Sequence, residues 1–253
     1  MGEIHPHKVR YWLHSTEKVD NPEVFAEKVN DICEAYHTAI CNYSNDIHTV
    51  SVDEMTGIQA LEHKYPDKGV APGQPAKQEF EYIRHGTTTL IGFMEVATGE
   101  IICPFLNKTR TEEDFLAAVS NVVLLAPNDR WNFVCDGLNT HKSESLVRFV
   151  AEQCGITEDL GIKDKSGILK NMKSRSQFLS DTYHRIRFIY TPKHCSWLNQ
   201  IEIWFSILVR RLLKRKSYAS IDDLNSSILR FIEQYNLTAK AFRWTYTGKP
   251  LTA

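Results

Sequence analysis

The order of apolar patterns along the chain predicts an α/β protein built as one mixed sheet flanked by helices. Three observations carry that prediction. Short β-branched or aromatic runs at 46–54, 130–136 and 185–191 alternate with segments whose apolar residues recur every three or four positions. Between the first run and the next helical segment lies a strand-rich stretch with a clear turn, which reads as a meander. The 253 residues are 42% hydrophobic and 24% charged, enough apolar content for one sizeable core and too little charge for a disordered chain.

Each element follows from local chemistry. Residues 1–20 are basic and aromatic and break at "DNPE". Residues 22–40 place Val24, Phe25, Val29, Ile32, Cys33 and Tyr36 at helical spacing behind Pro22, a residue suited to a first turn. "DIHTVSVDE" predicts a short buried strand ending at Asp53, and the Pro- and Gly-rich "LEHKYPDKGVAPGQPAKQ" a surface loop. Residues 80–103 predict two or three strands turning at "ATGE". Thr111 is placed to cap a helix whose first turn is acidic. "RWNFVCD" predicts a second buried strand ending at Asp136, and Ser143 caps a helix to about Gln153. Residues 155–184, rich in Gly, Ser and Lys, read as an insertion or mobile subregion. "RIRFIYTP" predicts a strand stopped by Pro192. "HCSWLNQIEIWFSILVRRLLKRK" then reads as one helix, with Leu198, Ile201, Phe205, Leu208 and Leu212 on an apolar stripe and Glu202 at its edge. Ser220 and Asp223 offer a capping box for a last helix to about Tyr235.

Bulk properties narrow the function. No apolar run approaches the ~18–20 residues that span a bilayer, and the N-terminus has no secretory signal, so a cytoplasmic protein without a membrane partner is expected. The six cysteines lack any C-x-x-C pair, which disfavours a zinc site or disulfide framework and suggests buried apolar roles. Net charge is −1, yet residues 161–216 carry thirteen Lys or Arg against Asp164, Asp181 and Glu202. That basic half fits a polyanion partner or, equally, a solvated basic face.

Three acids stand out by position. Asp53 and Asp136 end apolar strands, and Glu202 opens a helix after a third strand, where active residues of open α/β sheets gather. Converging carboxylates repel unless protonated or bridged by cations, and hard divalent ions take oxygen ligands. Two such ions about 4 Å apart suit phosphodiester chemistry. The competing readings are helix-capping or turn aspartates, and a Glu202 salt bridge to a nearby Arg.

The segments "SVDEMTGIQALEHKYP", "EFEYIRHGTTTLIGFMEVATGEI", "CDGLNTHKSESL", "YTPKHCSWLNQIEIWFSILVRRLLKRKSYASIDDL" and "FRWTYTGKPL" resemble, in order, the catalytic core of bacterial insertion-sequence transposases of the mariner-like DDE/DDD group. The resemblance implies an RNase H-like (retroviral integrase-like) fold with Asp53, Asp136 and Glu202 as the catalytic, metal-binding acids. It further implies two Mg²⁺ ions, with Mn²⁺ as a substitute. The implied reaction is cleavage at transposon ends followed by joining of the freed 3′-hydroxyl to target DNA, commonly at a TA dinucleotide. A homodimer on DNA, in a bacterial cytoplasm and associated with the nucleoid, would be the working form. On this reading residues 1–40 are a remnant of an N-terminal DNA-binding region plus a linker helix. Residues 41–253 are the catalytic domain, with an insertion at about 155–184 that lengthens the Asp136–Glu202 spacing. The missing end-binding region keeps two alternatives open: a stand-alone nuclease on the same fold, and a non-catalytic DNA-binding partner of an intact transposase. Gly137 also departs from the Asn that commonly follows the second Asp.

Neighbouring residues complete the expectations. Asn139 and His141 are candidates for orienting metal-bound water or touching phosphate, with turn hydrogen bonding the alternative. Lys193, His194 and Asn199, beside a helix start that favours phosphate, are candidate DNA ligands; capping or turn roles compete for His194 and Asn199. Arg210, Arg211, Lys214, Arg215 and Lys216 favour the helix's negative pole and can grip phosphates. Trp197 reads as core more readily than as a base-stacking ring. Trp204 and Phe205 read as core. Arg84 and His85 are placed near the site by resemblance alone.

Overall fold

The computed structural model describes residues 15–77, 79–214 and 216–247. Its centre is a five-stranded sheet ordered β3-β2-β1-β4-β5, with β1 spanning Ile47–His63, β2 Tyr82–Glu95, β3 Phe105–Asn107, β4 Arg130–Cys135 and β5 Ile186–Tyr190. β1, β2 and β3 run antiparallel, while β4 and β5 lie parallel to β1. The helices are α1 (Thr16–Asp20), α2 (Pro22–Tyr43), α3 (Glu112–Val123), α4 (Glu144–Gln153), α5 (Met172–Leu179), α6 (Ile201–Leu208) and α7 (Ile221–Asn236).

Alternation along the strands buries both faces of the sheet. On one face Val50, Val52, Phe93, Phe133 and Phe188 meet Phe115, Val119, Leu146 and Val150 of α3 and α4. On the other, Val134 and Ile189 meet Val29, Ile32, Tyr36 and Ala39 of α2. Further along that second face, Ile58, Leu90 and Met94 meet Trp204, Phe205 and Leu208 of α6 and Leu224 and Ile228 of α7. Caps form as the sequence predicts. Thr111 and Asp114 close a reciprocal capping box on α3. Ser143 accepts from the Leu146 N–H and Ser220 from the Asp223 N–H; the return bond of Asp223 reaches Ala219 instead of the cap residue.

Several expectations are corrected. β1 does not end at Asp53 but runs ten residues further as one arm of a long hairpin with β2. It bends there through a bulge between Met55 and Ile58, where Gly57 takes φ +66°, a conformation other residues enter at a cost. Residues 80–103 form one long strand, an isolated bridge (Met94 to Ile101) and no second full strand. The 155–184 segment carries α5 and sends Leu169 and Leu179, both fully buried, into the core; it is packed rather than loose. The helix expected over 194–216 begins at Ile201 behind a 3-10 turn at Ser196–Leu198 and widens to a π-turn at Val209–Leu213. All six cysteines are free, but only Cys33, Cys135 and Cys195 are buried, and Cys41 is exposed. Among the described residues no helix is long and apolar enough to cross a membrane.

Candidate active site

The site begins where the parallel part of the sheet stops. The β1–β4 ladder ends at Ser51 opposite Val134, so Asp53 and Asp136 each lie two residues beyond it. Asp53 therefore sits within the hairpin, opposite Gly92 of β2. Its Oδ1 accepts the Glu54 N–H at 2.8 Å and its Oδ2 accepts Asn199 Nδ2 at 3.2 Å. Burial, with the charges of Asp136, Glu202 and Glu54, pushes the Asp53 carboxyl up to about 7, against the opposing pull of the Glu54 N–H.

Asp136 is held differently. Its Oδ1 lies 2.8 Å from Nδ1 of the fully buried His141 and also accepts the Leu138 N–H at 3.1 Å. His141 Nε2 lies 3.0 Å from Oε1 of Glu54, whose side chain is likewise buried. Burial alone would raise the Asp136 carboxyl, but the His141 hydrogen bond and charge win and hold it below the usual range. For His141 burial opposes protonation, and the bonds to Asp136, Cys135 and Glu54 overcome it, raising the imidazole well above its ordinary value. Asp136 thus carries its charge beside a built-in cation.

Glu202 occupies the first turn of α6, and burial raises its carboxyl. Among the described residues it makes no ion pair, so the alternative of a salt bridge to a nearby Arg is not realised there. The start of α6 is pinned to β1. Ser51 Oγ donates to Asn199 Oδ1, Asn199 Nδ2 donates to the Val52 carbonyl at 2.7 Å, and the Ile201 N–H donates to Ser51 Oγ at 3.0 Å. Close approach needs Gly92: a Cβ there would come within 2.7 Å of Ile201 Cδ1 and 3.1 Å of Phe205 Cε1. The glycine lets the Glu202 helix lie flat on the strand opposite Asp53.

The remaining candidates separate into near and far. Asn199, expected at the DNA surface, is 1% exposed and spends its amide on Ser51, Val52 and Asp53. His141 is equally inaccessible to phosphate and acts on Asp136. Asn139 is exposed and its carbonyl closes a turn with the Lys142 N–H. Lys193 and His194 are exposed on the loop before α6, with His194 at φ +62°. Trp197, expected in the core, is 54% exposed and meets Tyr246 edge-on, whereas Trp204 and Phe205 are core as expected. Arg210, Arg211, Lys214 and Lys216 are exposed, roughly 12–20 Å along the helix from Glu202 at 1.5 Å per residue. Their end of the helix leads to Ser217 and Tyr218, which bond His63 and Leu61 at the outer hairpin. Lys216 is engaged by Asp223 at 3.4 Å and Ser227 at 2.5 Å. Arg215 lies outside the described residues. Arg84 and His85 sit on the outer hairpin, His85 bonded to Glu62 at 2.7 Å, about 25 Å of strand away from Gly92.

Sequence reasoning missed Ser51, Glu54, Gly92 and Lys142. Gly92 did carry a signal, since a lone glycine inside an apolar strand marks a close backbone approach. Lys142 is half-buried, with its Nζ 4.6 Å above the Tyr190 ring.

The donor set suits a hard divalent cation: carboxylate oxygens, one pushed up by burial and by its acidic neighbours and one, among the described residues, without an ionic partner. Among the described residues no three acid, His or Cys side chains lie close enough to enclose an ion by themselves, so water and phosphate oxygens would complete the shell.

Sheet order and helix placement define an RNase H-like domain. The chain belongs to the DDE superfamily endonuclease family, which it matches over residues 48–225, a span that includes all three acids. No protein of curated function matches the sequence. Among solved structures, the Mos1 mariner paired-end complex with Mn superposes with TM-score 0.50 at 16% identity, covering 92% of this chain and 60% of that one. The Mos1 transposase paired-end complex with the left transposon end superposes equally, at 17% identity and the same coverage. This chain thus spans about 60% of the length of those relatives.

Proposed function

We propose that this chain is the catalytic domain of a DNA transposase that cuts at transposon ends and joins the freed 3′-hydroxyl to target DNA. The single observation that carries the reading is the contrast within the acid set. Asp136 is neutralised from inside by His141, while burial raises both Asp53 and Glu202, Asp53 further by the charges of Asp136, Glu202 and Glu54, and among the described residues neither has an ion-pair partner. Mg²⁺ or Mn²⁺, two ions held by Asp53, Asp136 and Glu202, would supply charge neutralisation of the phosphate and a more acidic nucleophile. The two Mos1 complexes named above contain, by their descriptions, Mn in one case and a transposon end in the other.

The chain's own residues do the positioning. His141 keeps Asp136 ionised and fixes its rotamer through the Glu54 bond. Asn199 and the Glu54 N–H orient Asp53, and Gly92 with Ser51 sets the height of Glu202 above it. Lys193 and His194, exposed beside the site, contact the DNA backbone, and the basic end of α6 with Arg210, Arg211, Lys214, Arg215 and Lys216 contacts it further out. Residues 41–253 form the catalytic unit and 155–184 an insertion within it, with residues 1–40 as the end of a DNA-binding region. Two copies act together on paired ends, with a TA dinucleotide as the expected target, in the bacterial nucleoid.

Purified protein is to be incubated with Mg²⁺, labelled DNA carrying the ends of its own element, and target DNA, with Asp136→Asn alongside. Joined product lost in the variant supports transposition. Cleavage without joining supports a stand-alone nuclease, and binding without either supports a non-catalytic partner.

A further inference from the structure

We infer that the cavity beside Asp136 is a subsite for a DNA phosphodiester group, and that Glu17 of α1 occupies it in this structure as an internal competitor. The inference rests on DNA being the substrate.

The cavity, about 720 Å³, is lined by Glu17, Lys28, Asp136, Lys142, Lys193 and Ser196 among others. Three positive groups converge on it: the Lys28 and Lys142 ammoniums and the main-chain N–H of Lys193. The Glu17 carboxylate lies between two of them. Its Oε1 takes Lys28 Nζ, and its Oε2 accepts the Lys193 N–H at 3.3 Å. An anion gripped jointly by a lysine and a main-chain N–H is the arrangement a phosphate oxygen pair takes.

Lys142 is the second observation. It is half-buried, its charge is disfavoured chiefly by that burial, and it rests on the Tyr190 ring. Among the described residues no carboxylate lies within ion-pair reach of its Nζ. The ammonium also leans on Gly137, where an added Cβ would stand 3.0 Å from Nζ. A half-buried cation held against a ring with no anion of its own is costly unless a ligand completes it. One does if a strand whose reacting phosphate lies at the three acids sets its neighbouring phosphate here.

Glu17 can leave readily. α1 is five residues long and buries none of them. Its withdrawal removes one negative charge from the strand's path and frees Lys28 and the Lys193 N–H together.

The test measures binding of a short labelled DNA duplex to the full chain by anisotropy, without divalent metal, across a salt series. Glu17→Gln is expected to tighten binding several-fold. Lys142→Met is expected to weaken it several-fold and to lower the salt dependence by about one phosphate contact. In the Glu17→Gln background the Lys142→Met loss should be larger, because the subsite is then open. Unchanged or weaker binding by a normally melting Glu17→Gln protein overturns the inference. Should that variant melt early, Lys142→Met decides alone: an unchanged salt slope overturns the subsite. Because no cutting is read, the two proposals fail separately. Tighter binding by Glu17→Gln in a protein that never cuts DNA leaves the subsite and removes the transposase reading. Cutting and joining with both variants binding like the parent removes the subsite only.

Discussion

The two sides of the acid site solve one electrostatic problem in opposite ways. On the β4 side, the half-exposed Asp136 carboxylate leans on a buried imidazole that is itself pinned by Glu54, so its charge is settled at folding. On the hairpin side, packing buries Asp53 and the Glu202 helix against it, and that burial, with the charges of Asp136, Glu202 and Glu54, pushes the Asp53 carboxyl up to about 7. The difference teaches that the domain fixes one ligand in advance and leaves two to be satisfied by whatever cation arrives. A fully compensated triad would be more stable and would have no reason to bind an ion.

The sharpest way to break that comparison is to remove each acid in turn. Asp53→Asn and Asp136→Asn should each reduce DNA cutting by on the order of 10³-fold or more. Their effects on folding should diverge: Asp53→Asn relieves the burial of a carboxylate among other acids and should raise the melting temperature of the metal-free protein, whereas Asp136→Asn leaves the buried imidazolium with Glu54 alone and should lower it. Equal shifts would refute the contrast.

Next in size is His141→Ala, which leaves Glu54 buried without its cation. It should cost roughly 3–5 kcal/mol in denaturant unfolding, the range for breaking a buried ion pair from one side. A cost below about 1 kcal/mol would mean that Asp136 is not neutralised from within.

Gly92→Ala tests the packing on the other side. The added methyl must push against Ile201 and Phe205, which should cost about 1–3 kcal/mol. Because α6 carries Glu202, cutting should fall further than stability explains; activity retained in full at a temperature where the variant is folded would show that the height of α6 is immaterial.

The smallest effect is in pH and metal. Asp53 is raised above its unfolded value, so between about pH 4 and 7 the folded chain binds more protons than the unfolded one. Stability of the metal-free protein should therefore fall as pH rises through that window and level off above about 7. Mg²⁺ should raise the melting temperature chiefly at and above pH 7, by the equivalent of about 1–2 kcal/mol at tenfold excess over its dissociation constant. Asp53→Asn should flatten both trends in thermal melts.

Much of this was legible in the sequence. β4, β5, α3, α4 and α7 follow from apolar period and capping residues, which act over a few positions. The two aspartates and Glu202 stood out because each ends or opens an apolar element. What escaped was set by contacts far apart in the chain. Asn199 and His141 looked like surface ligands, since nothing near them in sequence reveals that Ser51 and Glu54, some 150 and 90 positions away, claim their polar atoms. The length of β1 was missed because a bulge at Gly57 breaks strict alternation just where the strand becomes half exposed. Trp197 was assigned to the core on size alone.

That last misreading has a practical outcome. The other described tryptophans, Trp131, Trp204 and Trp244, are buried or partly buried within the clusters above, while the Trp197 indole stands half in water beside the loop of Lys193 and His194. Among the described tryptophans its emission is the one most sensitive to what docks there, so red-edge intrinsic fluorescence gives a dye-free titration of occupancy at the mouth of the site.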